Sequence, residues 1–394
     1  MKVRRSLYAG LVGFAVALLF SHARSTPYDN YVLFASAVLH GRFWIDWPGP
    51  YIDAVLWHGH RYIVNDPLPG FLMIPFVALF GTAANQTLLA VVLCGITIGA
   101  AWELCERLGV SGRTTFWLCA FYLAGTDLLW ASMLGDVWFV AQTSAVCFMT
   151  LALTELAGKN RPWLVVLLYA GAIASRFTAV MALPAIVYLI ASGGLGAQSR
   201  AQFARGTQLR RVLLQTAAIL IPAALLWVGY NFARWGVPWD RGHTIFFHED
   251  AIGARSGEPF SFANLPYQLW SFFVQMPDFS SRWPWIRPTF SGVALTWTSP
   301  ALVLAFFARR PRYQVVTMWV AAFLTAGPSF LYYVNGYAQY GMRHTLDFVA
   351  FLFVLMIFAA RERFALWAEA LVTYSCIAGL YGVWYWNVFV RPGN

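Results

Sequence analysis

Long apolar stretches recur along almost the whole chain, and they limit the fold more than any other feature. Runs of roughly 15 to 25 apolar residues span a hydrocarbon core of about 30 Å as helices. Only 11% of the 394 residues are charged, whereas a soluble domain has about 25%. Too few charges remain to cover a soluble surface, and the same composition excludes disordered, collagen-like and coiled-coil proteins. The sequence therefore predicts an all-α polytopic membrane protein.

The apolar pattern predicts a single membrane domain, residues 1–394, with about eleven transmembrane helices. We place them at 6–22, 85–105, 114–132, 136–157, 162–175, 177–193, 212–232, 290–307, 313–333, 346–360 and 365–388. A further apolar run, 67–82, is short and opens with Pro67 and Pro69. We interpret it as a re-entrant or surface helix, because counting it as a span would reverse every later loop.

The positive charges predict the orientation. With 67–82 not crossing, the short basic loops all lie on one side, beginning with Lys2, Arg4 and Arg5. The positive-inside rule makes that side the cytoplasm. All ten aspartates and all seven histidines then lie at or near the other face, so we expect the working face to be extracytoplasmic. The arginines are scattered between apolar runs, which argues against a nucleic-acid partner.

Two long segments, 23–84 and 234–289, form the predicted outer loops, and long loops in a compact protein usually carry function. In the first, 30–40 reads as an amphipathic helix with Asp29 at its N-cap. In the second, 262–276 has helical apolar spacing typical of an interfacial helix. The tryptophans of both loops suit an interfacial aromatic belt or, alternatively, stacking on a sugar.

Four segments resemble stretches of one membrane-enzyme superfamily, in the same order along the chain. They are Asp29 to Gly41 after the first span, Gly59 to Phe71, Tyr230 to Gly242 (YNxxRWGxP) and Tyr340-Gly341-x-Arg343-His344. Together they resemble the GT-C glycosyltransferases, above all the bacterial protein-mannosyltransferase-like and aminoarabinose-transferase-like (family 39-like) enzymes. Three positions depart from the pattern: Asp66 replaces a lysine, His344 replaces a tyrosine, and Asn30 follows Asp29 where a second acid is usual.

The resemblance implies an inverting transfer of a sugar from a polyprenyl-phosphate carrier, such as undecaprenyl phosphate, to an acceptor hydroxyl. The acceptor would be a glycan, lipid or protein. The transfer would take place at the outer face of the bacterial cytoplasmic membrane. Asp29 becomes the general base and Arg343 a ligand of the carrier phosphate. Such chemistry needs a carboxylate for the acceptor proton and cations for the departing phosphate. Arginine suits the second task because its fork binds phosphate bidentately.

The remaining candidates complete the expected site. Besides Arg343, the candidates for the donor or its phosphate are Arg176, Arg61, His344 and Tyr340. The candidates for the acceptor or the pocket are Asp53, Asp66, His60, Asp136, Asn231 and Arg234. For three of the candidates a purely structural role is the alternative. Asp29 would cap a helix, Arg176 would form an ion pair with an outer aspartate, and Arg343 would snorkel to the interface.

No cofactor is expected, and no phosphate-binding loop for ATP occurs. A divalent metal stays open, because His58, His60 and Asp53 or His243 and the run 248–250 supply ligand types without a known spacing. Two other functions also stay open. One is a secondary transporter or lipid flippase, although no duplicated half is visible. The other is an oligosaccharide polymerase or ligase that shares the same outer-face logic.

Overall fold

The structure is a computed structural model that describes residues 2–46, 53–196, 206–249 and 259–391. Its α-helices are α1 (Lys2–Ser21), α2 (Asn30–Leu39), α3 (Leu68–Phe80), α4 (Gln86–Arg107), α5 (Arg113–Ala124), α6 (Leu128–Leu134), α7 (Val137–Leu156), α8 (Pro162–Ser175), α9 (Leu183–Ala191), α10 (Gly206–Trp235), α11 (Gly242–Glu249), α12 (Leu265–Phe273), α13 (Leu295–Thr298), α14 (Arg312–Leu331), α15 (Val349–Glu362) and α16 (Leu366–Tyr385). Two small hairpins, β1 (Ala54–Trp57) with β2 (His60–Ile63) and β3 (Asp278–Phe279) with β4 (Ile286–Arg287), are antiparallel.

The chain is a multi-pass helical membrane protein. Within the described ranges, five helices are long and apolar enough to cross a membrane, namely Gln86–Arg107, Val137–Leu156, Gly206–Trp235, Arg312–Leu331 and Leu366–Val390. A sixth span is the pair α5 and α6, bent by 46° at its break. The other predicted spans are shorter helices, except 290–307, which is only partly helical, so the expected number of eleven is not confirmed.

The interior of the bundle is built around α7 and α15. All residues from Val349 to Ala359 of α15 are buried, and most of α7 is buried as well. By contrast, only 11% of the apolar window of α10 is buried. A helix that is apolar all round belongs either in a core or in lipid, which assigns α15 to the core and α10 to the lipid-facing side.

Glycines bring α1 and α4 into close contact. A Cβ atom at Gly99 would lie 3.0 Å from the Ser6 carbonyl oxygen, and one at Gly95 would lie 3.0 Å from that of Gly10. Small residues four positions apart let two membrane helices pack backbone to backbone. This contact places the start of the first long loop beside the start of α7.

Most predicted elements occur at the predicted places. The surface helix 30–40 is α2, and 262–276 begins as a 3₁₀ turn followed by α12. The expected span 290–307 is wrong over its first half, since it contains only α13 and the 3₁₀ segment Pro300–Phe307. The run 67–82 is α3, whose 13 residues fall short of the ~20 a straight span needs. Its proposed re-entrant placement stays a prediction.

Candidate functional site

Arg343 is a buried cation that forms no ion pair with the residues the structure describes. It opens the 3₁₀ helix Arg343–Asp347 between α14 and α15 and is 9% exposed. Its guanidinium carbon lies 5.5 Å from the centroid of the Phe139 ring. Within the described ranges it forms no ion pair, and its Nε has no hydrogen-bond partner. Burial and the neighbouring Arg176 charge lower its pKa to about 10, so it stays protonated at neutral pH.

Arg176 lies beside Arg343 and is firmly held. It occupies the junction between α8 and the 3₁₀ segment Phe177–Ala182. Its Nε and Nη2 donate to the two carboxylate oxygens of Asp347 at 3.1 and 2.8 Å, and the Asp347 side chain is fully buried. This bidentate pair confirms the ion-pair alternative for Arg176. It leaves the site with two arginines and one fully engaged carboxylate.

His344 follows Arg343 in the same 3₁₀ helix. The residue is 7% exposed, and neither ring nitrogen has a hydrogen-bond partner in the described structure. Burial and the charges of Arg343 and Arg176 place its pKa well below the ordinary histidine value. The ring is therefore neutral, with one nitrogen able to donate a hydrogen bond.

Asp66 lies against the same centre. One of its carboxylate oxygens accepts a hydrogen bond from the Phe177 backbone N–H at 3.0 Å, next to Arg176. Burial raises its pKa, while His243 and Arg176 act in the opposite direction. The end of the first long loop is thereby attached to the start of the Phe177–Ala182 segment. Asp66, which stands where the resembling enzymes have a lysine, thus lies next to Arg176.

Asp53 reaches the centre through the first turn of α7. It is 8% exposed and accepts a hydrogen bond from the Trp138 indole nitrogen. Trp138 is followed by Phe139, the ring nearest the Arg343 guanidinium. One turn later, the Gln142 amide donates to the Arg343 carbonyl at 3.1 Å. Two neighbouring residues at the start of α7 therefore contact the two groups: Trp138 contacts the Asp53 carboxylate, and Phe139 lies beside the Arg343 guanidinium.

Asp29 precedes α2 but does not cap it, because its side chain makes no capping hydrogen bond. The capping alternative is wrong for this structure. Burial raises the pKa of the half-buried carboxyl group. No ion pair or side-chain hydrogen bond joins it to Arg343 or Arg176 within the described residues. The neighbouring Tyr28 ring packs on Trp138, with ring centroids 5.1 Å apart. The role of Asp29 as general base stays a prediction.

Asp136 is committed to an ion pair. Its oxygens accept from Arg391 at 3.1 and 2.6 Å, and one also accepts from the Thr26 hydroxyl. The carboxylate is 3% exposed. These bonds tie the first loop, the start of α7 and the end of the described chain together. The direct role of Asp136 in the structure is to hold that junction.

Arg234 and Asn231 form a second buried centre at the end of α10. Arg234 donates to the Ile63 carbonyl at 3.0 Å, to Asn231 at 3.0 Å and to Asp240 at 3.3 Å. Its guanidinium carbon also lies 3.9 Å from the centroid of the Tyr230 ring. Although its Nε has no described partner, Asp240 compensates the charge of this arginine, and Arg234 fastens α10 to the β1–β2 hairpin.

Asp240 is the acidic partner in that second centre. Although burial opposes its charge, the hydrogen bond and charge of His243 lower its pKa to about 2. His243, 2.7 Å away through Nδ1, has a raised pKa because this pairing outweighs burial. The pair closes the second centre around Arg234.

Three predicted residues lie apart from the Arg343 centre. His60 stacks on Trp44 with ring centroids 4.4 Å apart, and Arg61 is exposed opposite Leu56 on the β1–β2 hairpin. Tyr340 is buried against α16, where its hydroxyl donates to the Ala378 carbonyl. None of the three makes a contact with Arg343 or Arg176 in the described structure.

No role in the site is predicted from the sequence for Asp347, Trp138, Tyr31 or Tyr230. The hydroxyls of Tyr31 and Tyr230 are buried without a described partner, and the charge of Asp66 acts on both. A signal for Asp347 was available, because it follows Arg343 by four residues at the start of a long apolar run. An acid at such a boundary is a natural partner for an arginine at the same depth.

No cluster of three or more potential metal ligands occurs in the parts of the chain that the structure describes; Asp250 lies outside them. Two apolar grooves of about 750 and 440 Å³ share Pro184 and Tyr188 and run along α9, between α10 and α14. They lie on the apolar side of the bundle and contain neither Arg343 nor Arg176.

The helical membrane domain, with surface helices between its first spans, agrees with the GT-C-like fold expected from the sequence, and a structural match supports that fold. The chain is similar to the crystal structure of ArnT from Cupriavidus metallidurans bound to undecaprenyl phosphate, with a TM-score of 0.52 and 12% sequence identity. The similarity covers 97% of this chain and 65% of that protein, so the chain spans about two thirds of ArnT. No protein-family model and no curated protein sequence gives a significant match.

Proposed function

We propose that the chain is a membrane glycosyltransferase that moves a sugar from a polyprenyl-phosphate carrier to an acceptor hydroxyl, with inversion, on the extracytoplasmic face. The observation that carries the proposal is Arg343, a buried and protonated arginine without a described acidic partner. A buried charge is costly unless an opposite charge and hydrogen bonds compensate it. The fold shared with a protein crystallised with undecaprenyl phosphate supports a phosphate as the missing anion.

The phosphate site consists of Arg343, Arg176 and His344. Arg343 offers a free guanidinium fork, while Arg176 adds a second positive charge whose position is set by Asp347. Neutral His344 supplies a hydrogen-bond donor without adding charge. As the bond between the anomeric carbon and the phosphate oxygen breaks, negative charge grows on the phosphate. Fixed cations in a site shielded from water stabilise that charge without reorganisation.

The acceptor needs a base, and the first long loop supplies the candidates. A carboxylate takes the hydroxyl proton while the acceptor oxygen bonds to the anomeric carbon, and polyprenyl phosphate leaves from the opposite face. The sequence predicts Asp29 for this role, and its raised pKa brings it closer to the working pH, where bases are most effective. Asp53 is the second candidate, because it accepts a hydrogen bond from Trp138, the residue before Phe139, whose ring lies beside Arg343.

Purified protein in nanodiscs tests the proposal against a small panel of polyprenyl-phosphate sugars and acceptors. We expect a covalent product one sugar heavier than the acceptor, detected by mass spectrometry, together with free polyprenyl phosphate. The product disappears in R343Q and persists in R282Q, a matched variant of an exposed arginine near the β3–β4 hairpin. Substrate flux across proteoliposomes without a covalent product would establish the transporter instead, and transfer of a whole sugar chain would establish a polymerase or ligase.

A further inference from the structure

Asp127 is a buried carboxylate at the break between α5 and α6, where the span bends by 46°. The residue is 6% exposed. In the described structure its side chain forms no ion pair and no hydrogen bond. An acid in such a place is costly in free energy, so its presence calls for a compensating role.

The loop that carries Arg343 packs directly on this carboxylate. A Cβ atom added at Gly341 would lie 2.5 and 2.7 Å from the two Asp127 carboxylate oxygens. Only a glycine hydrogen leaves that space free, so the carboxylate is pressed against the backbone two residues before Arg343. The Arg343 charge is near enough to act on Asp127. Among the described residues, the ionised Asp127 carboxyl group and Arg343 are thus nearby groups of opposite charge that form no ion pair.

We propose that Asp127 is a positioning residue that opposes phosphate binding at Arg343 and thereby lets the product carrier leave. This inference rests on the proposed function. Transfer converts a phosphodiester with one negative charge into a monoester with up to two, so two arginines attract the product more strongly than the donor. When the Asp127 carboxyl group is ionised, its negative charge weakens the field that donor and product both feel, and it weakens the hold on the more charged product most.

The test is the affinity of D127N for a short-chain polyprenyl monophosphate, measured in nanodiscs beside the wild type at about pH 8.5, where the wild-type carboxyl group is ionised. The substitution removes the charge and keeps the shape. We expect binding about tenfold tighter, the effect of a unit charge ~10 Å away at an effective dielectric constant of ~20. Turnover of the donor should show kcat and KM falling together, with stronger inhibition by added monophosphate. A residue needed only for folding would not tighten binding.

The controls separate this inference from the proposed function. In an R343Q background, D127N should still tighten binding by about the same factor, because the carboxylate repels the phosphate directly. G341A is a second variant, whose methyl group displaces the carboxylate and should tighten binding in the same direction. Wild-type protein that binds no monophosphate would overturn the proposed function and this inference with it. Wild-type binding that D127N and G341A leave unchanged or weaken would overturn the inference alone.

Discussion

Two buried arginines near the ends of the spans differ in one respect, namely whether the protein itself compensates their charge. Arg234 donates to a carbonyl, an amide and the Asp240 carboxylate, and it lies over the Tyr230 ring. Arg343 is as deeply buried, yet within the described ranges it forms no ion pair, and the Phe139 ring lies beside it. The sequence predicts Arg343 for the carrier phosphate and Arg234 for the acceptor or the pocket, and the structure separates the two by their partners.

The comparison shows how to tell a structural cation from a binding one. A buried charge with all its partners in place stabilises the local fold, and removing one member leaves the others uncompensated. A buried charge without partners costs stability until an external anion arrives. We therefore propose a structural role for Arg234 and a ligand-binding role for Arg343, and each proposal has a measurable consequence.

The largest effect is expected for R343Q. Loss of the phosphate cation should lower kcat/KM by about 10³ or more, as for other groups that stabilise transition-state charge. Because an unpaired buried charge is removed, the unfolding temperature should stay the same or rise. Turnover and thermal unfolding of the same preparation check both parts. A fall in the unfolding temperature as large as that of an Arg234 variant would erase the contrast.

R234Q should show the opposite profile. We expect a loss of about 3 kcal/mol in stability, because Asp240 and the Ile63 carbonyl lose their buried partner. Affinity for the carrier phosphate should remain close to that of the wild type in protein that is still folded. Thermal unfolding and monophosphate titration below the unfolding range measure the two quantities. Unchanged stability with lost binding would place Arg234 in the phosphate site.

The first-loop carboxylates sharpen the comparison on the acceptor side. D29N should lower kcat by about 10² with little change in monophosphate affinity. Since burial raises the pKa of Asp29, the rate of the wild type should rise with pH through a value above the ordinary carboxylate range. A pH–rate profile shows this limb, and D29N should lack it. If D53N removes the limb and D29N keeps it, Asp53 is the base.

The smallest effect is expected at His243. Its pairing with Asp240 raises its pKa above the ordinary value of 6.5, so its contribution to stability is complete below about pH 6.5. That contribution is lost as pH rises through the folded-state pKa. H243Q should therefore lower the unfolding temperature slightly at pH 6 and hardly at all at pH 9. An equal loss at both pH values would show that the pair acts through packing.

The membrane fold could be predicted from sequence because apolar length and charge placement act locally. The helices α4, α7, α10, α14 and α16 occur close to the predicted spans. The stretch 290–307 failed because proline and glycine interrupt an apolar run whose composition alone suggested a helix. Composition reports how apolar a segment is, whereas backbone hydrogen bonding decides whether it is regular.

The candidate site could be predicted only in part, because its decisive contacts join distant residues. The Arg176–Asp347 pair is separated by 171 positions, and no local pattern encodes it. Asp136 and Tyr340 looked like site residues, yet Arg391 and the Ala378 carbonyl engage them. The motif identified Arg343 as a candidate. That it forms no ion pair in the described ranges, on which the proposed phosphate site rests, is a property of the folded chain.

The most direct test is a titration of a short-chain polyprenyl monophosphate into wild-type, R343Q and R282Q protein in nanodiscs, with folding checked for each. The account predicts saturable binding by the wild type and by R282Q, with affinity for R343Q at least about 30-fold weaker, as expected when a desolvated charge partner is lost. Equal binding by R343Q and the wild type would contradict it.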